Sequence, residues 1–427
     1  MPLLTVLIPV NKHPQLNDAF TIQCKKICET LSKKIELKII WVMFPSIPAY
    51  EKSDLTSINH DVLFFNKSDN LVKLFKNIKP DIVFINGSLD FHNVTTNLVS
   101  KSLKIPVFSL FFRNPYVVKL SSVSALNARF SGLTTKYTDN TKKSKPTRLF
   151  TIKFYFNQFH SLYSTLKSLK FTKIQSFSFI LKYVKIISID VNPADQIISG
   201  NLNFCNVEQM KQVLLDSNFV DSSISIVGDP YFDNQNIINE KTISEKKSEK
   251  YSILFCPSPN HEHGLCSMNK EFNLIIDTIN IIQKNDIEIA LKIHPSSSRI
   301  DEYVTMLKGK ISKPIHIFQS ENLTDLFDNY DIMLTYGGTG AMHDAVLLGK
   351  PIVNLDIDKK LTGQPIHYDD KIITHCKNLD SLIQDIQISY EKIITPKDIE
   401  SFFQKYLGYS KIKPSVKISD IILSFIK

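Results

Sequence analysis

The sequence predicts an α/β protein with two doubly wound halves that face a cleft, and three observations support this prediction. Short apolar runs alternate with helical patterns over the first hundred residues, which is typical of a parallel sheet covered by helices on both faces. The alternation restarts after the polar, charged stretch 234–250, which has the composition of a linker. In the second half a glycine-rich turn, Gly337-Gly338-Thr339-Gly340, joins an apolar run to a helical pattern.

The first half contains five predicted strands, separated by helical patterns. The strands are Thr5 to Val10, Leu37 to Phe44, Asp61 to Phe65, Asp81 to Ile85 and Pro106 to Phe112. The helices are Gln15 to Ser32, Asn70 to Asn77 and Val94 to Leu103. Because ligands of such sheets bind beyond the carboxyl ends of the strands, we expect the functional loops at 11–14, 86–92 and 113–116.

The second half repeats this organisation. Its predicted strands are Ser252 to Phe255, Ile287 to Ile293, Ile315 to Phe318, Ile332 to Leu334 and Ile352 to Leu355. Its helices are Phe272 to Gln283, Asp301 to Leu307 and Leu323 to Asp328. Two further strands of the first half are predicted at Lys185 to Ile189 and at Ser223 to Val227. We therefore expect Rossmann-like domains at 1–235 and 251–395, with helices in 396–427 packing back on the first domain.

Composition restricts the class of protein. With 43% hydrophobic and 22% charged residues the chain is expected to be globular. We find no apolar run long enough to span a bilayer, and the start, MPLLTVLIPV, is interpreted as a buried strand and not as a signal peptide. The six cysteines lack the spacing of a disulfide framework or a metal site, which predicts a reducing, cytoplasmic location.

The positive charge is concentrated in one segment. Ten of the 51 basic residues lie within 140–189, which contains no Asp or Glu, and the rest of the chain carries 41 basic and 42 acidic residues. Apolar residues from Leu149 to Leu169 recur at helical spacing in this segment, which predicts a basic amphipathic helix. Two interpretations remain open, namely contact with an anionic membrane surface and packing against its own domain. No nucleic-acid partner is predicted, because no recognisable module accompanies the basic residues.

Three loops of the second half follow predicted strands and are expected to meet at one edge of the sheet. The first is PSPNHEHG at 257–264, the second begins at His294, and the third is the glycine turn. Imidazole, hydroxyl and backbone N–H groups at one point would bind a diphosphate. The candidate residues are His261, Glu262, His263, His294, Pro295, Ser296, Gly337, Gly338, Thr339 and Gly340.

Each of these candidates also has a plainer interpretation. His294 could simply end a strand, and the glycine turn could simply connect a strand to a helix. His261 and His263 would point the same way on an extended loop, but no further ligand pair completes a metal site, so no metal and no bound cofactor are predicted. Asp344 could accept hydrogen bonds from a ribose, or it could be an ordinary carboxylate in the first turn of a helix.

The second half resembles the donor-binding domain of GT-B glycosyltransferases that carry a His-Pro motif after a strand. These families are bacterial capsule and sialic-acid transferases and CDP-glycerol glycerophosphotransferases. The matching segments are ILFCPSPN at 253–260, LKIHP at 291–295 and YDIMLTYGGTGAMHDAVLLGKPIV at 330–353, and GDPYFD at 228–233 resembles the segment before the domain joint. The first half matches these families only in its alternating pattern.

The resemblance implies a glycosyltransferase that moves a sugar from a CMP- or UDP-linked donor to a glycan or lipid-linked acceptor in surface polysaccharide synthesis. His294 and Thr339 would contact the donor phosphates, Asp344 the ribose, and the loop from Phe318 and Gln319 onward the base. The Gly-Gly pair also resembles UDP-N-acetylglucosamine 2-epimerases, which are the main alternative. A third alternative is a non-catalytic protein that binds a glycan or a polyanion.

Transfer with inversion at the sugar carbon requires a general base that faces the acceptor hydroxyl, normally from the first domain. By loop position alone the candidates are Asp90, His92 and His13. Asp90 and His92 are preferred because they follow the end of one strand, although each could be a plain loop residue.

Overall fold

The computed structural model describes residues 3–11, 14, 19–44, 61–65, 70–112, 148–189, 196–233, 251–261, 266–294, 300–336, 340–357 and 371–426, with side chains of the 148–189 segment described for 156–186. The chain divides into two compact units. The first unit comprises Met1–Val117, Thr147–Gln235 and Phe403–Lys427, and the second comprises Val118–Pro146 and Asn236–Phe402.

The first unit is built on a seven-stranded sheet in which every neighbouring pair is parallel. Its strands are β1 (Leu3–Val10), β2 (Glu36–Met43), β3 (Asp61–Phe64), β4 (Ile82–Asn86), β5 (Val107–Phe111), β6 (Leu202–Cys205) and β7 (Ile224–Ile226). Their order is β3-β2-β1-β4-β5-β6-β7, so the direction of winding reverses between β1 and β4. Loops diverge at such a reversal and leave a crevice at the carboxyl ends of the two strands.

Helices cover both faces of this sheet. They are α1 (Ala19–Ser32), α2 (Leu71–Ile78), α3 (Phe91–Ser102), α4 (Arg148–Ser168), α5 (Lys173–Ile189), α6 (Glu208–Asp216) and α13 (Pro414–Ile426). One core packs α1 and α13 against the sheet, and the other packs α2 to α6 against the opposite face. The helix α13 joins α1 through a hydrogen bond between the Thr30 and Ser415 hydroxyls at 2.9 Å.

The second unit contains a six-stranded sheet whose neighbouring strands are also all parallel. Its strands are β8 (Ser252–Pro257), β9 (Glu288–Lys292), β10 (Ile317–Phe318), β11 (Ile332–Tyr336), β12 (Ile352–Leu355) and β13 (Ile373–Cys376). Its helices are α7 (Met268–Lys284), α8 (Ile300–Leu307), α9 (Leu323–Phe327), α10 (Ala341–Leu347) and α11 (Leu382–Glu391), and α12 (Pro396–Leu407) spans the boundary between the units. The order β10-β9-β8-β11-β12-β13 reverses between β8 and β11.

These sheets confirm the predicted class, an α/β protein with two doubly wound halves. One predicted strand is wrong, because residues 185–189 form the last turns of α5. The apolar run there is short enough to fit a buried strand, and its helical continuation upstream was not recognised. Two strands, β6 and β13, are not among those predicted. The predicted linker 234–250 and the loop 113–116 lie outside the described residues.

Within the described ranges, no helix combines the length and the apolar character that crossing a bilayer requires. The same ranges contain no group of three or more His, Cys, Asp or Glu side chains placed to hold a metal ion.

Candidate functional site

The reversal between β8 and β11 is the natural ligand position in the second unit, because two loops separate there at the carboxyl edge of the sheet. The loop after β8 carries Asn260 and His261, and β11 ends at Tyr336, directly before the glycine turn. A single buried carboxylate, Glu271 in the first turn of α7, connects these two strand ends.

Glu271 accepts hydrogen bonds from both sides of the reversal. The Tyr336 hydroxyl donates to its Oε1 at 2.6 Å, and the backbone N–H groups of Asn260 and His261 donate at 3.1 and 2.7 Å. The His261 imidazole contacts Oε2 through Nδ1. Because Glu271 is only 1% exposed, these donors take the place of water around its charge.

This network fixes the chemistry of two side chains. An ionised carboxylate can only accept, so Glu271 favours the tautomer of His261 that carries its hydrogen on Nδ1. Burial, reinforced by the charge of Glu271, raises the pKa of Tyr336 well above its usual range. The Tyr336 hydroxyl therefore stays protonated and acts as a donor. His261 has the arrangement of a histidine that is oriented to take or give a proton.

Polar side chains also form a row across the sheet, near the carboxyl ends of four strands. Cys256 pairs in register with Thr335, Thr335 with Asn354, and Asn354 with His375. The Thr335 hydroxyl donates to the carbonyl oxygen of Cys256 at 2.7 Å. Since register partners on neighbouring strands point to the same face, these side chains lie on one side of the sheet, close to the edge where the loops meet.

The row ends in an Asp–His pair. His375 Nδ1 lies 2.5 Å from Asp356 Oδ2, and the Asn354 amide donates to Asp356 Oδ1 at 2.6 Å. Both oxygens of Asp356 are therefore engaged. Asp356 directly follows β12, which places the pair at the carboxyl edge of the sheet.

A buried lysine organises the other end of the sheet. Lys292, the last residue of β9, donates through Nζ to the carbonyl oxygen of Gln319 at 2.7 Å and to that of Ile293 at 3.3 Å. Burial lowers its pKa, while the charges of Cys256 and Glu321 act in the opposite direction. Lys292 thus ties the start of the His294 loop to the loop after β10.

The described candidates in the second unit lie along this carboxyl edge. His294 is exposed two residues beyond β9, and Phe318 and Gln319 are half-buried at the end of β10. Gly340 precedes α10, and an added Cβ there would meet nothing within 4 Å. The remaining candidates lie outside the described residues, namely His13, Glu262, His263, Pro295, Ser296, Gly337, Gly338 and Thr339.

Two titratable residues of α10 have shifted pKa values. Burial raises the pKa of Asp344 to about 6 and lowers that of His343 to about 4. Burial also raises the pKa of Cys256 to about 12; the charge of Lys292 lowers this pKa by a smaller amount, and that of Asp344 raises it further. The charges of Lys292 and Asp344 therefore both act near the end of β8, where Cys256 lies. His343 is neutral at pH 7.

In the first unit, two predicted bases follow β4 at the reversal between β1 and β4, with Asp90 directly before α3 and His92 in its first turn. Asp90 is exposed and accepts a hydrogen bond from the Ser88 hydroxyl at 2.6 Å, and Ser88 in turn accepts one from the Asn93 amide at 2.8 Å. His92 is buried, with its ring centroid 5.9 Å from that of Phe44. Asp90 is thus presented to solvent, whereas His92 packs into the core.

The loop after β4 depends on a glycine. A Cβ at Gly87 would overlap the ring of Phe111, which is fully buried. The glycine therefore lets the chain after β4 pass close to Phe111 at the end of β5. Ser88 and Asp90 follow at this edge of the sheet.

Sequence reasoning missed Glu271, Lys292 and the Asp356–His375 pair. Glu271 meets partners 10, 11 and 65 positions away, and such separations leave no local pattern. Lys292 lies inside the segment LKIHP, whose resemblance to a known motif concerns His294 and Pro295. A lysine at the end of an otherwise apolar strand is the sequence feature that points to Lys292 itself.

No protein-family model matches the chain, and no curated protein matches it. Solved structures do match over nearly the whole length. A UDP-GlcNAc 2-epimerase of Methanocaldococcus jannaschii, in complex with UDP-GlcNAc and UDP, is 16% identical with a TM-score of 0.51, covering 99% of this chain and 100% of that one.

Two further structures have the same degree of similarity. A UDP-N-acetylglucosamine 2-epimerase of Rickettsia bellii is 15% identical with a TM-score of 0.50, covering 99% of this chain and 97% of that one. The glycotransferase of kitacinnamycin is 9% identical with a TM-score of 0.50, covering 99% of this chain and 98% of that one. The His-Pro subfamilies stay a prediction, but the fold itself is that of GT-B glycosyltransferases and of the related UDP-GlcNAc 2-epimerases.

Proposed function

We propose that this chain is a glycosyltransferase that takes a sugar from a nucleotide-linked donor bound by the second unit. The Glu271 network carries this proposal, because it joins Tyr336 at the end of β11 to His261 beyond β8 through one buried charge. The fold supports it as well, since the M. jannaschii enzyme of the same fold was solved with UDP-GlcNAc and UDP. We also propose that the nucleotide of this donor is CMP or UDP.

Within this site the donor would lie along the carboxyl edge of the second sheet. The base would contact the loop at Phe318 and Gln319, whose backbone Lys292 holds. The donor phosphates would contact His294 and the glycine turn, and the ribose would contact Asp344. An exposed imidazole and backbone N–H groups are suited to the charge that develops on a leaving diphosphate.

The acceptor hydroxyl must lose a proton during transfer, and Asp90 is our candidate in the first unit for the group that takes it. It is exposed at a strand end, and its hydrogen bond with Ser88 fixes the carboxylate. His92 is less suitable because its ring is buried. We further propose a glycan or lipid-linked acceptor in surface polysaccharide synthesis, at the inner face of the plasma membrane, with segment 140–189 as the attachment.

A 2-epimerase is the second candidate, and the His261–Glu271 pair favours it. Inversion at a sugar carbon that bears hydrogen requires a base near the donor sugar, and His261 is a histidine held by a carboxylate in the second unit. A transferase does not need such a base beside the donor.

Ligand-induced stabilisation separates an enzyme from a non-catalytic glycan-binding protein. We expect one of CMP, CDP, UDP, GDP or ADP to raise the melting temperature, because a ligand that binds only the folded state stabilises it. His294→Ala should abolish the increase, whereas His160→Ala, at an exposed histidine of α4, should keep it. An absence of stabilisation by every nucleotide would reject both enzymatic proposals.

Product analysis separates the two enzymes. A transferase releases nucleotide from its donor only when an acceptor is present, apart from slow hydrolysis. An epimerase converts UDP-N-acetylglucosamine to its 2-epimer with no acceptor. Formation of the epimer by the wild type, and its loss in His261→Ala, would replace our first proposal with the second.

A further inference from the structure

The hairpin of α4 and α5 has an exposed apolar surface, which the described residues of the first unit do not cover. Ile174, Phe177 and Leu181 on α5 are 84%, 64% and 52% exposed. Their spacing of three and four residues places them on one side of the helix. Three large apolar side chains in a continuous stripe differ from the single exposed residues that are normal on a protein surface.

The opposite side of α5 is anchored in the first unit. Ser176 and Tyr183 are buried there, and the Tyr183 hydroxyl donates to the carbonyl oxygen of Leu89 at 2.9 Å. A helix that is apolar on both sides is normally buried on both sides. The stripe on α5 therefore has the composition of a covered surface.

The charge around the stripe indicates what covers it. Lysines surround the stripe and are exposed, and segment 140–189 contains no acidic residue. The exposed lysines of the hairpin are Lys167, Lys170, Lys173, Lys182 and Lys185. Apolar and aromatic side chains flanked by lysines are complementary to a bilayer with anionic headgroups, where the apolar groups enter the acyl boundary and the ammonium groups stay at phosphate level.

We propose that the stripe Ile174–Phe177–Leu181 of α5, with its surrounding lysines, docks on an anionic lipid bilayer. This proposal rests on the membrane attachment proposed above for segment 140–189 and names the side chains that make the contact. Binding to vesicles tests it without any measurement of catalysis. The apolar side of α4, from Leu149 to Leu169, is the other predicted contact. On that side Leu166 is fully buried in the first unit, whereas Phe156 and Tyr163 are exposed.

Flotation with lipid vesicles tests the stripe. The full chain should float with vesicles of phosphatidylcholine and phosphatidylglycerol, but not with vesicles of phosphatidylcholine alone, and added salt should weaken binding. Phe177→Ser and Ile174→Ser should lose flotation while keeping the wild-type melting temperature. Ile393→Ser is the matched control, because Ile393 is 81% exposed in the second unit.

The lysines require their own comparison. Lys170→Gln combined with Lys173→Gln should weaken partitioning about fivefold for each lysine removed. Lys308→Gln combined with Lys310→Gln, at exposed positions of the second unit, should leave it unchanged. Equal binding to neutral and anionic vesicles, or no binding to either, would overturn the proposal.

A reporter at the stripe distinguishes a bilayer from a protein partner. Trp41, the only tryptophan, is fully buried, so Phe177→Trp adds a single exposed indole. Its emission should shift to the blue with anionic vesicles and be quenched by brominated lipids. A blue-shifted emission before any lipid is added, or a dimer that Phe177→Ser dissociates, would show that protein covers the stripe and would refute bilayer docking.

Discussion

Tyr336 donates its phenolic hydrogen to Glu271 over 2.6 Å, and this bond joins the end of β11 to the first turn of α7. The same carboxylate accepts hydrogen bonds from His261 beyond β8. The ends of β8 and β11, between which the strand order reverses, therefore share one acceptor. A movement of either strand end leaves a donor or an acceptor unsatisfied in a buried place. The spacing between Tyr336 and His261 is therefore fixed before any ligand binds.

Glu271→Gln should disrupt the contacts that join the end of β11 to the residues after β8. An amide cannot accept from all four donors, because its NH2 group replaces one of the two oxygens. That group would face the N–H of Asn260 if it replaced Oε1, or the N–H of His261 if it replaced Oε2. We expect a loss of about 3 kcal/mol in the free energy of unfolding and no nucleotide-induced stabilisation. Chemical denaturation and thermal shift measure both quantities. Asp277→Asn, at an exposed position of α7, is the control and should change stability by less than about 0.5 kcal/mol.

Gly340→Ala separates a ligand role of the glycine turn from a folding role. Gly340 has φ −58° and open space around the position of a Cβ, so alanine fits the unliganded fold. We expect stability to stay equal or to rise by up to about 1 kcal/mol, because alanine restricts the unfolded chain. If the nucleotide approaches this backbone closely, its dissociation constant should increase severalfold. Unchanged nucleotide affinity would mean that the turn only connects β11 to α10.

Asp344 predicts a pH dependence of nucleotide binding. Burial raises its pKa from 3.8 to about 6, and an ionised carboxylate accepts hydrogen bonds from a ribose more strongly than a protonated one. Affinity should therefore rise as the pH increases through 6, and Asp344→Asn should abolish that rise. In the unliganded protein the sign is opposite. The folded state binds the proton more tightly than the unfolded chain, so this residue makes stability fall as the pH rises from about 4 to about 6.

Asp229 predicts a pH dependence of stability in the first unit. It accepts hydrogen bonds from Gln23 and from the backbone N–H of Tyr231, each at 2.8 Å, but burial still raises its pKa to about 7. Stability should fall as the pH rises from about 4 to 7, because unfolding lets the carboxyl group ionise. Asp229→Asn should remove this fall and be more stable above pH 7 by up to about 4 kcal/mol.

Denaturation of Asp229→Asn at several pH values measures this effect. Asp216→Asn, at an exposed carboxylate of the same unit, should follow the wild-type curve. A wild-type stability that stays constant between pH 4 and 7, with the same curve in Asp229→Asn, would contradict the prediction.

Patterns along the chain predicted the architecture because each apolar run in a parallel sheet is buried on both faces. They also identified the loops at the carboxyl edges, since the end of a strand is a local feature. They could not identify Glu271, whose role depends on a tyrosine 65 positions away. They misassigned 185–189 as a strand, although it is the end of α5. The buried side of this helix includes Ser176 and Tyr183, and the exposed side is apolar, so the sequence shows no clear helical periodicity of buried apolar residues.

The last helix of the chain completes the first unit, because Ile418 and Ile422 of α13 are fully buried in the core that α1 shares with β1 and β2. During synthesis the residues of β1 and α1 leave the ribosome long before α13 exists. Until then one side of this sheet lacks its cover, and closing the core requires a contact between residues nearly 400 positions apart, such as the bond from Ser419 to Ile27. The second unit can fold in the interval, so the unit that is synthesised first is completed last.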